Sequence, residues 1–440
     1  MDGETGTSVN RHLPGQSTRL GLRTISMRNS ILRVRRCMSG MAVFLLILTV
    51  AGCGNSPATT GATQTPGSTG TVSEPTQTPT EALSHMPSPS VASSPSVAPT
   101  PAHGHFSPTG SLVAALSDPI ATVLADGRVL VTGADTASRA EIYDPATGTF
   151  SETGAMVSSD GGNPGTLLRD DRVLIAGGSG TGASQLYDPA TGTFSATGSM
   201  VQDRYDDIAL RLNDGRVLIA GGYEFALIAG GTYQPGGPIA SAELYDPATG
   251  KFSRTGSMSV ARGVAAASLL PDGRVLIAGG EDLVQDEGVS LASAEVYDPA
   301  TGKFTRTGNL PVPCENATAT LLRNGRVLVA GCWTGTPQSL ATGELYDPKT
   351  GKFSATGPMI NVRGGPTATL LQDGRVLVAG GSNENDSSAE IYDPSTGTFS
   401  PTGSMMQSRL NGSAVLLPDG RVLLVGGSAS SPTSAETYWP

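Results

Sequence analysis

The residues of this 440-residue chain that could do chemistry fall into four sets. Five aromatic side chains, Tyr205, Tyr223, Phe225, Tyr233 and Trp333, stand outside the recurring aromatic positions that dominate the rest of the chain. Rings of this kind stack on sugars or fill pockets on a protein partner. Carboxylates form the second set: Glu281, Asp282, Asp286 and Glu287 in the stretch EDLVQDEG, with Asp160, Asp203, Asp206 and Asp207 before them. The four histidines are His12, His85, His103 and His105, so beyond position 105 general acid–base work would fall to Asp or Glu. No spacing among these acids singles out a pair, and EDLVQDEG lacks the EF-hand pattern for calcium. The third set is Arg204, Arg262, Arg363 and Arg409, at one recurring position whose other occupants are Leu116, Asp160 and Cys314. Four guanidinium groups at a channel mouth could hold an anion; structural donors to neighbouring loops are the reading we favour. The last set is Cys314 and Cys332. Without histidine they make no zinc site, and a bridge or two thiols both stand open, since their register is about three residues from opposite.

The elements that must position these residues are periodic. Asp-Gly-Arg-Val-Leu or a close variant begins at Asp126, Asp170, Asp214, Asp272, Asn324, Asp373 and Asp419. A second landmark, a Tyr within a YDP-like motif, falls at 143, 187, 245, 297, 346, 392 and 438. Both count seven units, and a period near 45–50 residues points to a propeller or an array. Each unit reads as four short strands. AASLLP (from Ala266) is rich in small side chains and ends at an Asp-Gly hairpin turn. RVLIAGG (from Arg274) is a continuous apolar run suited to burial on both faces. SAELYDP (from Ser241) alternates, DPATG turns the chain, and KFSRTG (from Lys251) closes the unit. The expected fold is all-β: a seven-bladed propeller with four antiparallel strands per blade. Residues 105–112, HFSPTGSL, match a fourth strand with no third strand before it, while the last unit stops after its third. The N-terminal strand is therefore predicted to pair with residues 434–438, completing blade 7 and removing two exposed edges.

The repeat resembles the kelch motif. The matching residues are the double glycine Gly279–Gly280, Tyr297 of the third strand, Phe304 of the fourth, and Arg262 four residues past Met258. The resemblance covers His105–Pro440 and implies a seven-bladed kelch-type propeller, similar to the propeller of galactose oxidase. It also implies that the loops before strand one and after strand two share one face. From the second glycine position to the Tyr, the units span 9, 9, 23, 17, 14, 11 and 11 residues, so blades 3–5 carry the insertions. The off-register aromatics and the EDLVQDEG acids gather there. Copper radical oxidases use such a propeller, and that likeness would require histidines and a Tyr–Cys crosslink. No histidine lies between Phe106 and Pro440, so no copper site of that kind is expected.

Residues 1–52 read as a signal region, with Met27 as an alternative start. Arg28, Arg33, Arg35 and Arg36 precede the apolar run Met41–Ala51, which is too short to span a bilayer. VAGC, ending at Cys53, resembles the lipobox of bacterial lipoproteins, which implies lipidation of Cys53 and an extracytoplasmic protein anchored to the cell membrane. Residues 53–104 are a Thr/Ser/Pro-rich tether expected to be disordered, and 105–440 form the propeller. Removing the seven Arg/Lys and two Asp/Glu before Cys53 leaves a net charge of −15, which disfavours nucleic acid. The expected function is a protein- or carbohydrate-binding module acting through the loops of blades 3–5, as a monomer with no cofactor and an unknown protein or glycan as partner. The alternatives are a carbohydrate-active enzyme using Asp or Glu on the same face, and a structural role in an envelope complex.

Overall fold

The computed structural model describes Gly104–Pro440 apart from residues 135–136, 159–162, 179–181, 228–232, 285–286, 335–339, 382–386 and 429. Residues 1–103, with the expected signal region, the expected tether and Cys53, lie outside the described residues, as do Asp160 and Asp286.

Seven four-stranded antiparallel sheets follow one another along the chain. Blade 4 shows the pattern: Ala266–Leu269, Val275–Ala278, Ala294–Asp298 and Lys303–Arg306, hydrogen-bonded in that order. First strands of successive blades touch around the whole ring, from blade 1 through to blade 7 and back. This is the seven-bladed propeller read from the repeats.

The second strand explains the continuous apolar run. Val275, Leu276, Ile277 and Ala278 are all buried, and alternate side chains serve different neighbours. Val275 and Ile277 pack with Leu218 and Ala220 of blade 3, while Leu276 and Ala278 pack with Val327 and Val329 of blade 5. A strand sandwiched between two blades has no solvent face, so its period-2 alternation separates two buried surfaces.

A second device, the Thr-Gly pair after each fourth strand, ties blade to blade. Thr255 Oγ1 lies 2.8 Å from the hydroxyl of the buried Tyr297 in the following blade. The same Thr–Tyr bond recurs for Tyr143, Tyr187, Tyr245, Tyr346, Tyr392 and Tyr438, at 2.8–3.0 Å. The following glycine donates its N–H to a turn glycine of that next blade, as Gly110 does to Gly148 O at 2.8 Å. A Cβ at Gly110 would stand 2.5 Å from that oxygen, so the close approach requires glycine.

The ring closes as expected. His105–Pro108 is the outer strand of blade 7, pairing His105 with Trp439, Phe106 with Tyr438, Ser107 with Thr437 and Pro108 with Glu436. Phe106 and Tyr438 make the same tilted ring contact, 4.9 Å between centroids, that Phe304 and Tyr297 make in blade 4 at 4.8 Å.

Candidate functional site

The recurring arginines are not at the mouth of the channel. Arg204, Arg262 and Arg363 are fully buried and Arg409 is 4% exposed. Each is claimed by its own blade. Arg262 Nη1 donates to Gly279 O (2.6 Å) and Ser293 O (2.9 Å), and Nη2 to Ser293 Oγ and Glu295 Oε1 (both 3.1 Å). Equivalent ion pairs join Arg204 to Glu243, Arg363 to Glu390 and Arg409 to Glu436. The glutamates in turn accept backbone N–H groups of the loop entering the blade, as Glu243 does from Val201 and Gln202. Buried and ion-paired within their own blades, these four side chains act as scaffold rather than as a channel-mouth anion site. The buried glutamate of the third strand is the partner that sequence reasoning missed. Its signal was present: a charged residue recurring beside the Tyr at a position whose neighbours are all buried.

The long loops of blades 3 and 4 form two hairpins standing off the same end of the propeller. One pairs Tyr223–Leu227 with Tyr233–Pro238, the other Glu281–Val284 with Glu287–Ser290, and the two lie side by side. Chain entering each blade stitches to the hairpin root, through antiparallel bridges Tyr205–Tyr223 and Gly263–Glu281.

This geometry turns most of the aromatics inward. Tyr205 stacks on Tyr223 with centroids 5.4 Å apart and meets Phe225 at 4.6 Å. The Tyr223 ring lies over Gly263 of the next blade, and its hydroxyl donates to Glu281 Oε2 at 2.8 Å. Burial, with Glu281 beside it, pushes the Tyr223 hydroxyl well above the ordinary phenol range. Trp333 repeats the arrangement two blades further, in blade 5: a Cβ at Gly364 would sit 2.7 Å from its ring. Tyr223 and Trp333 thus brace neighbouring blades, each half-buried with its ring against a glycine. Tyr233 begins the return strand of its hairpin, opposite Leu227. Of the acids, Asp282 is half-buried and Glu287 exposed. Beside them stand three exposed aliphatic side chains, Leu283 (42%), Val284 (55%) and Val289 (42%).

Below the hairpin of blade 3, Asp207 stands where blades 4 and 5 carry Ala265 and Ala317. It is 6% exposed, and neither carboxylate oxygen has a hydrogen-bond partner. Burial pushes its pKa up to about 7 against the opposing charge of Arg204. A raised carboxylate costs the fold nothing below the unfolded value near 4, and its penalty grows as pH climbs to 7. Asp207→Ala is therefore expected to stabilise the protein by about 1–4 kcal/mol at pH 8 and by almost nothing at pH 4. Denaturant melts at the two pH values check this, and a difference independent of pH would reject the assignment.

Cys314 and Cys332 are joined by a disulfide, with Cα atoms 4.9 Å apart. The bend that the register demanded is made at Asn316, which takes a left-handed backbone (φ 54) just before the inner strand of blade 5. Asp118, Asp206, Val264 and Asn411 take the same conformation at the equivalent place in their blades.

A family profile of the kelch motif matches residues 363–406, the stretch running through blade 6. No curated protein matches the sequence. Among solved structures, a fungal alcohol oxidase of the AA5 family, in complex with copper, superposes with a TM-score of 0.62 at 18% identity over 76% of each chain. A likeness at that identity is one of fold. The residues here do not fit a copper centre of the kind such an oxidase would carry. Among the described residues the one histidine, His105, stacks on Trp439, the two cysteines are bonded to each other, and no three His, Cys, Asp or Glu side chains converge. With seven four-stranded blades closed into one ring by the strand His105–Pro108, the chain is a seven-bladed β-propeller that carries a kelch motif in its sixth blade.

Proposed function

We propose that this propeller is a binding module whose contact surface is the twin hairpin of blades 3 and 4, and that its ligand is a protein. The observation that carries this is the trio Leu283, Val284 and Val289, exposed aliphatics on a braced hairpin flanked by Glu281, Asp282 and Glu287. Exposed apolar groups clustered within a polar rim are the surface chemistry of protein contacts. A glycan is less well served, because the rings of Tyr223 and Trp333 are half-buried against neighbouring blades. Functional loops on a repeated rigid scaffold are where recognition is ordinarily built. The same proposal places the domain outside the cytoplasm, tethered through lipidated Cys53. The signal-like N-terminus supports that, and so does a disulfide, which persists in oxidising compartments.

The test is cross-linked capture from envelope extracts by the full chain, run beside a glycan array. The triple variant Leu283→Ser, Val284→Ser, Val289→Ser is expected to lose captured protein by about tenfold or more while keeping the wild-type melt. Equal capture by the variant would reject this surface, and a glycan hit that survives the substitutions would move the ligand site elsewhere.

A further inference from the structure

Blade 5 keeps the acceptors of the buried arginine and lacks the arginine. In blades 3, 4, 6 and 7 the guanidinium is held by the first glycine carbonyl, by a Ser two residues before the third-strand glutamate, and by that glutamate. In blade 5 the same places are Gly331, Thr342 and Glu344: Glu344 faces Val329 as Glu295 faces Ile277. At the arginine position stands Cys314, bonded to Cys332. Cys332 occupies the second glycine position, and in blade 4 a Cβ at that glycine, Gly280, would lie 3.1 Å from Arg262 Cβ. The disulfide therefore takes the room of the arginine's stem and does not reach its head.

At the head end, Thr342 Oγ1 and Glu344 Oε2 are both buried without a hydrogen-bond partner. They are the two side chains whose counterparts, Ser293 and Glu295, bind the guanidinium in blade 4. The backbone does not make good the loss. Blade 1 also lacks the arginine, with Leu116 in its place, but Glu141 accepts from Val113 N (2.9 Å) and Ala114 N (3.0 Å). In blade 5 the counterpart of Val113 is Pro311, which has no N–H to give. Glu344 is 4% exposed, and an isolated buried carboxylate is costly unless it is paired or neutralised.

We propose that blade 5 binds one small monovalent cation at Thr342 and Glu344, where four other blades hold an arginine head. The donor set is all oxygen with one carboxylate, which balances a single positive charge. An alkali ion and a free guanidinium share that chemistry. The competing way to neutralise Glu344 is a proton, and burial does raise its pKa.

The experiment is thermal melting of the full chain at pH 7 and constant ionic strength, titrating sodium, potassium or millimolar guanidinium chloride against choline chloride. One of the three is expected to raise Tm saturably, by about 2 °C or more, and its identity names the ion. Glu344→Gln should abolish the shift. The double variant Cys314→Arg, Cys332→Gly supplies a resident guanidinium and should abolish it too, whereas Pro311→Ala restores an N–H and should weaken it. The proposal is overturned if wild type melts alike in all four salts, or if either Glu344→Gln or a folded double variant keeps the shift. Should the double variant fail to fold, Glu344→Gln decides alone.

Discussion

A chain lacking residues 105–112 is expected to melt more than 10 °C below the intact protein, or to lose its cooperative transition, while a chain lacking residues 54–103 melts within about 2 °C of it. The asymmetry follows from what those eight residues hold. His105–Pro108 is the outer strand of blade 7, so its removal exposes the edge of Ala435–Trp439. Phe106 leaves the ring of Tyr438, and Thr109 leaves the hydroxyl of Tyr143. Leu112 is 4% exposed and packs with Leu116, Val129 and Val425, a burial worth about 1.5–3 kcal/mol. Against a total stability of about 5–15 kcal/mol, losing the strand, the ring contact, the Thr–Tyr bond and the leucine together removes most of the margin. The damage also spreads to both sides of the joint, because Thr109 serves blade 1 and Phe106 serves blade 7. Calorimetry of the two deletions beside the intact chain is the check. Equal melting of the two would mean that blade 7 does not depend on this strand.

The second large effect lies in the buried ion pairs. Arg262→Ala is expected to cost about 3–5 kcal/mol, because it strands Glu295 in a site 1% exposed and takes the donors from Gly279 O and Ser293. Glu295→Ala should cost a similar amount by stranding Arg262, whose pKa burial already lowers against the pull of Glu295. Removing both partners should recover part of the loss, since the desolvation of two charges goes with them. The surface pairs make the contrast. Arg274 and Asp272 of the turn meet at 2.7 Å, but both are well exposed, and Asp272→Ala is expected to cost no more than about 1 kcal/mol beyond the loss of the turn bond to Arg274 N. Equilibrium denaturation of the two singles, the double and the turn variant measures all four. An Arg262 variant no worse than the turn variant would refute the structural role.

Much of this was legible in the repeats themselves. Residues that recur in every unit must answer needs that every blade shares, so the strand count, the turns, the Tyr and Phe anchors and the closing strand could be read from spacing alone. The arginines were legible as recurring but not in role. Their partner glutamate lies some thirty residues away, and only pairing of the third strand with the second brings Glu295 beside Arg262. The aromatic loops were legible in position but not in packing. Tyr223 and Trp333 are off the repeat register, which marked them as candidates for binding, yet each also packs against a neighbouring blade's glycine, Gly263 or Gly364.

By itself, the sequence determined the fold, because a period of four short strands with small residues at one edge and a continuous apolar second strand has one economical way to bury itself, in a ring of blades. It also determined where the variation lies, in the loops of blades 3–5. Only the tertiary structure decided which varied residues face solvent. That choice depends on what the adjacent blade presents opposite each side chain: a glycine that admits a ring, as for Tyr223, or open space, as for Val284. No spacing within a single unit carries that information, since the deciding atoms belong to the next one.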